Sequence, residues 1–158
     1  MVTAASLKDQ IQQKLGEIKE IAGGLDEAKA SRAPAAGEWC AKEVLSHLCG
    51  EETKGFWYNM QRFVREDTPE YDVQRGISHF EPRKDMPVSQ LLAKVDSEYS
   101  GIGDWLAGLS DEQLARKAHV PLLKETPFGE YPTLAQWATA MINYHLNDHI
   151  NQLRALAQ

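Results

Sequence analysis

Near the end of the chain, Asn143-Tyr144-His145-Leu146-Asn147-Asp148-His149 sets two histidines four residues apart. On an α-helix, side chains at i and i+4 lie one above the other, so both imidazoles can face a single ion. The same two residues fall on an apolar stripe: Trp137, Met141, His145, His149, Leu153 and Leu156 recur at helical intervals. An imidazole turned toward a core needs a partner, because burying it unpaired is costly. That partner is either a shared metal ion or separate hydrogen bonds to backbone and carboxylates.

A third histidine fits the metal alternative. His47 sits among Val44, Leu45 and Leu48, on or beside a second apolar stripe. It lies about 10 Å past the start of its helix, and His149 lies about 10 Å before the end of the last helix. If those helices are antiparallel neighbours, His47, His145 and His149 meet at one level. Three imidazoles with coordination positions left open make a catalytic divalent-metal site, which activates water or a thiol as a nucleophile at neutral pH. Other metal classes do not fit. The zincin pattern needs Glu after the first His, where this chain has Leu146, and the paired Glu-x-x-His motifs of di-metal bundles are missing. A mononuclear site is the simplest arrangement.

Other residues could join the chemistry. Glu51, one turn after His47 on the same face, is placed to orient the imidazole or to act as a general base. A solvated carboxylate is its plain alternative. Cys40 is seven residues before His47 on the same face, a candidate thiol but better read as a small buried residue. Tyr58, eleven residues after His47 on roughly the same face, reads as a packed core tyrosine, with a pocket-lining position as the alternative. Asp148 points about 100° away from His149 and reads as an ion-pairing residue. His79 and His119 read as surface histidines in loops, and Trp39, Trp57, Trp105 and Trp137 as helix-interface residues.

The elements that must position these groups are helical. Ser6-Leu7-Lys8-Asp9 looks like a helix start with Ser6 as N-cap, followed by Leu7, Ile11, Leu15, Ile18 and Ile21, and stopped by Gly23-Gly24. A second helix is expected from about Cys40 to Glu66, carrying Val44, Leu48, Phe56, Met60 and Phe63. A third runs from Val88 to Leu109. Ser110 and Gln113 form a capping box for a short helix, and Thr133 and Gln136 form another that opens the last helix. The stretches 67–87 and 119–132 carry prolines and read as long connections. The expected fold is all-α, a four-helix bundle in one domain spanning 1–158, with crossover connections.

Composition bounds the function. The 17 basic and 23 acidic residues give a net charge of −6, and no basic cluster appears, so no nucleic-acid surface is expected. No apolar run approaches a membrane span and no signal peptide is visible, so a cytoplasmic protein without membrane contact is expected. Cys40 and Cys49 would stand about 13 Å apart along one helix, too far for a disulfide.

The sequence resembles the DinB-like superfamily of metal-binding four-helix bundles. Trp39 followed by Glu43-Val44-Leu45-Ser46-His47-Leu48, the Gly-containing loop before Thr133-Leu134, and His145/His149 followed by Gln152-Leu153 carry the resemblance over nearly the whole chain. It implies one divalent metal, zinc or nickel, held by His47, His145 and His149. It also implies a small-molecule substrate, with S-transfer from a low-molecular-weight thiol as the leading reaction. Hydrolysis by metal-activated water is the alternative reaction, and a structural or vestigial metal in a non-enzymatic bundle is the other. A homodimer would suit the flat faces of such a bundle. The family often has Ser or Thr after the Trp, capping the second helix; here that residue is Cys40.

Overall fold

Thr3, not Ser6, caps the first helix. Thr3 Oγ1 accepts from the Ser6 N–H at 3.1 Å and Ser6 Oγ accepts from the Thr3 N–H at 3.0 Å, a reciprocal capping box. The computed structural model describes residues 1–158. Helix α1 (Ala4–Gly23) buries Leu7, Ile11, Leu15, Ile18 and Ala22, the spacing of one helix face. A short α2 (Glu27–Ala30) follows.

The expected second helix is two helices. α3 (Ala41–Cys49) and α4 (Phe56–Arg65) are separated by residues 50–55. Gly50 adopts φ +72°, ψ −172°, a conformation that ends the helix and favours glycine. Its periodicity hid the break: Leu48 and Phe56 are eight residues apart, close to two whole turns plus the loop's offset.

α5 (Val88–Ala107) buries Leu91, Val95, Tyr99, Ile102 and Leu106. α6 (Asp111–Leu114) has the expected Ser110–Gln113 box. The last rod starts at the Thr133–Gln136 box with α7 (Leu134–Ala140). It passes through a π-helical segment, Met141–Leu146, and continues as α8 (Asn147–Ala157).

α1 packs against α5 and α8, and α3 packs against the same two, which makes a four-helix bundle in which α3 and α8 are neighbours. One continuous core runs through all four rods. α4 lies against α5 and α7. No β-strand forms. The two long connections are laced by isolated bridges, with Tyr71 N–H donating to the His119 carbonyl at 2.7 Å and His119 N–H to Pro69 at 2.9 Å. No helix is long and apolar enough to cross a membrane. Cys40 and Cys49 are both free and buried.

Candidate metal centre

Helix α3 holds His47 in place through its neighbours. Val44, Leu45 and Leu48 are fully enclosed, which fixes the rotation of the helix and leaves His47 at the shoulder of the core, half-buried. Cys40 is the N-cap residue and its N–H donates to Glu43 Oε2 at 2.9 Å. The Cys40 thiol is buried, and that burial raises its pKa, as expected of a packing residue.

The last rod presents the other two imidazoles. Its core face keeps Trp137, Met141 and Leu153 of the expected stripe and adds Leu134, Ala138, Ile142, Leu146 and Ile150, so its centre is turned toward the row one residue on. One residue is about 100° of rotation. His145 and His149 therefore stand beside the core, half-buried, where a ligand can reach them. His145 belongs to the π-helical segment, a local widening often found at functional sites.

The three imidazoles converge. Their ligating nitrogens all lie within 4.8 Å of one another. His47 Nε2 and His145 Nε2 are 2.8 Å apart, and the ring centroids of His47–His149 and His145–His149 are 4.6 and 4.7 Å apart. Two of the rings are held by their far nitrogens. His47 Nδ1–H donates to the Ile77 carbonyl at 2.7 Å, and His149 Nδ1–H donates to Gln152 Oε1 at 2.9 Å. Because a carbonyl oxygen can only accept, the proton sits on Nδ1 and Nε2 keeps its lone pair for the centre of the cluster. His145 Nδ1 is buried without a partner.

All three rings are neutral at neutral pH. Burial is the main cause, lowering His145 to about 3 and His47 to about 4, and lowering His149 as well. The neighbouring imidazoles add to the effect at His145, and His149 and His79 add to it at His47. Neutral imidazoles are the form that ligates a metal. Without an ion, His145 Nε2–H donates to His47 Nε2 at 2.8 Å and His149 Nε2 is left with no donor among the three; three imidazole nitrogens this close, two of them with fixed lone pairs, are a donor set that fits a divalent ion.

Aromatic rings wall the cluster. Trp39 lies 5.1 Å from His47 and stacks on His149 at 6.2 Å, and Phe56 stands 5.3 Å from His145. Trp39 is therefore a wall of the site as well as an interface residue. Neither Phe56 nor the Ile77 carbonyl carries any sequence signal for this role. Gln152 was visible, one turn after His149, as part of the family pattern.

A cleft of about 710 Å³ opens at His47. Glu51 lines it as an exposed residue of the 50–55 segment, not one turn along the same helix, and Ile77 takes the orienting role considered for it. Tyr58 is 42% exposed and lines the same cleft, which corrects its reading as a core tyrosine. The connection 67–87 supplies Tyr71, Asp72, Ile77 and His79 to the wall. His79 is half-buried, and its carbonyl accepts from Ser46 Oγ at 2.9 Å. His119 is no plain surface residue either. It is half-buried, with Glu70 Oε2 at 3.6 Å and Glu130 Oε2 at 3.5 Å. Asp148 is exposed and forms no ion pair, which corrects its reading as an ion-pairing residue; its charge acts on His149, raising that pKa against the effect of burial.

The DinB superfamily model matches residues 10–153. The chain belongs to the DinB superfamily. A curated relative, the uncharacterized protein YuaE of Bacillus subtilis (strain 168), is 25% identical over 153 residues, covering 85% of this chain and 87% of that one. Among solved structures, Bacillus subtilis YfiT matches with a TM-score of 0.78 at 18% identity, over 98% of this chain and 85% of its own. YfiT is described as a probable metal-dependent hydrolase with an unusual four-helix bundle topology. At that identity the match establishes the shared family fold.

Proposed function

We propose that this protein is a metal-dependent enzyme in which His47, His145 and His149 hold one divalent ion beside a substrate cleft. The carrying observation is the convergence of three neutral imidazoles, two of them fixed by Nδ1–H donation, one of which, His47, lines an open cleft. An ion held there supplies a nucleophile at neutral pH by acidifying water or a thiol. Imidazole ligands suit zinc and nickel alike. The chain's own residues orient the ligands, through Ile77 and Gln152, and exclude bulk water from one side, through Trp39 and Phe56. Glu51, at the cleft, is the candidate general base.

Hydrolysis is the leading reaction, supported by the fold shared with YfiT and its description. S-transfer from a low-molecular-weight thiol is the second reading. A cleft of about 710 Å³ is within the range that accepts a drug-sized molecule, and Lys54 on its wall could meet an anionic group of such a thiol, whereas Arg62 is held by Glu66 at 2.9 and 3.0 Å.

Elemental analysis of tag-free protein should give about one equivalent of divalent metal, lost in His47→Ala and His149→Ala. The loaded protein is then assayed on activated aryl esters and, with a thiol, on aryl halides. Turnover of one class that disappears in His145→Ala supports the corresponding reading. No metal uptake from zinc or nickel would refute both.

A further inference from the structure

Residues 72–79 belong to no helix or strand, and they make no backbone–backbone hydrogen bond. They nevertheless form part of the cleft wall and carry the carbonyl that orients His47. Only two hydrogen bonds tie this segment to the rest of the protein, and both reach the same turn of α3. His47 Nδ1–H donates to the Ile77 carbonyl at 2.7 Å, and the Ser46 hydroxyl donates to the His79 carbonyl at 2.9 Å. Ile77 is 37% exposed, so packing holds it little. What keeps its carbonyl in place is the neighbouring anchor at His79.

That anchor is itself braced. Ser46 is fully enclosed. Its Oγ accepts from Arg83 Nη1 at 3.3 Å, and the same nitrogen donates to the Ser46 carbonyl at 3.0 Å. A hydroxyl that accepts from a guanidinium keeps its single hydrogen for another acceptor, and here that acceptor is the His79 carbonyl. Donation from a cation also polarises the hydroxyl and strengthens the bond that it gives. Arg83 is buried and comes from the end of the same connection, in the single turn Glu81–Arg83. The connection thus reaches Ser46 twice, by the His79 carbonyl and by the Arg83 side chain. His79 has φ +53°, a left-handed conformation that a residue with a Cβ keeps only where its surroundings hold it. The Ser46 hydroxyl supplies that hold.

A neutral imidazole takes the tautomer that its hydrogen bonds dictate. His47 offers Nε2 to an ion while Nδ1 carries the proton, and the Ile77 carbonyl is the acceptor that keeps the proton there. We propose that Ser46 is a positioning residue for His47: braced by Arg83, its hydroxyl clamps residues 77–79 onto α3 and holds the Ile77 carbonyl at His47 Nδ1. The consequence for metal affinity rests on the reading of His47 as a ligand; the consequence for the tautomer does not.

Ser46→Ala removes the hydroxyl with little change of volume. In metal-free protein at neutral pH, two-bond ¹H–¹⁵N correlation spectra report the tautomer of each imidazole. Wild type is expected to show His47 and His149 protonated at Nδ1. Ser46→Ala should move His47 into a mixture of the two tautomers and leave His149, held by Gln152, as it was. Competition for zinc should then give an affinity about three- to tenfold weaker, at or below the lower end of the loss for removing a ligand's own orienting partner, because Ser46 acts one bond further out. A role in stability alone would lower the urea midpoint and move neither readout. If alanine prevents folding, Ser46→Cys keeps the shape with a weaker donor and should give the same tautomer shift in smaller measure. His47 protonated at Nε2 in wild type, an unchanged His47 tautomer in the folded variant, or zinc affinity there within twofold of wild type would each overturn the proposal. Failure of the wild type to take up zinc would sink the metal reading instead, and the His47 tautomer would still decide the clamp.

Discussion

Replacing Gln152 by leucine isolates the orienting hydrogen bond from the ligand itself. Gln152 Oε1 accepts from His149 Nδ1–H at 2.9 Å, within one helical turn. Leucine keeps helix propensity and removes the acceptor. Loss of such a partner typically costs 10–100-fold in metal affinity, or about 1.4–2.7 kcal/mol. His149 is half-buried, so water can replace part of the lost bond, and the expected loss lies near the lower end, about tenfold. Gln152→Glu places a carboxylate at the same point, makes the imidazole a stronger base and should tighten binding. The assay is competition for zinc against a chromophoric chelator, with the melting temperature of the metal-free protein as a folding control. Zinc affinity within twofold of wild type in Gln152→Leu, with its folding intact, would refute the assignment of His149 Nε2 as a ligating atom held by Gln152.

Three further outcomes follow from the same geometry. The histidine pKa values are depressed in the folded state, so the unfolded chain binds more protons below about pH 6.5 and stability falls with acid. That stability is complete above about pH 6.5 and declines as pH drops toward 4 and 3. His145 contributes up to about 1.4 kcal/mol per pH unit, and urea unfolding of metal-free His145→Leu should show a shallower decline than wild type. Zinc at a thousand times its Kd should stabilise the wild type by about 4 kcal/mol, read as a raised melting temperature, and should leave His47→Ala unmoved. A Cβ on Gly101 would come within 2.6 Å of the Trp57 ring, so Gly101→Ala should destabilise by about 1–3 kcal/mol. A Gly101→Ala protein as stable as wild type by urea unfolding would show that α4 can move away from α5 there.

The sequence by itself determined the helical rods, because their periodicity, capping boxes and glycine stops are local: Leu7 to Ala22, Leu91 to Leu106, Ser110–Gln113 and Thr133–Gln136 all act within a few residues. It also marked His47, His145 and His149, since a polar ring recurring beside an apolar stripe is visible in one dimension. The break after Cys49 escaped, because a loop of the right length returns the apolar pattern in phase. The offset of the last core face escaped too, since Leu146 and Ile150 share the stretch with the histidines and only packing against α1 and α3 decides which row turns inward. Tertiary structure alone brought Ile77, Phe56 and Arg83 to α3 and α8. Ile77 acts through a backbone carbonyl, which any residue carries. Phe56 and Arg83 act through contacts across the fold: Phe56 meets His145 of the last rod, and Arg83 reaches Ser46 once the connection 67–87 has folded back over α3.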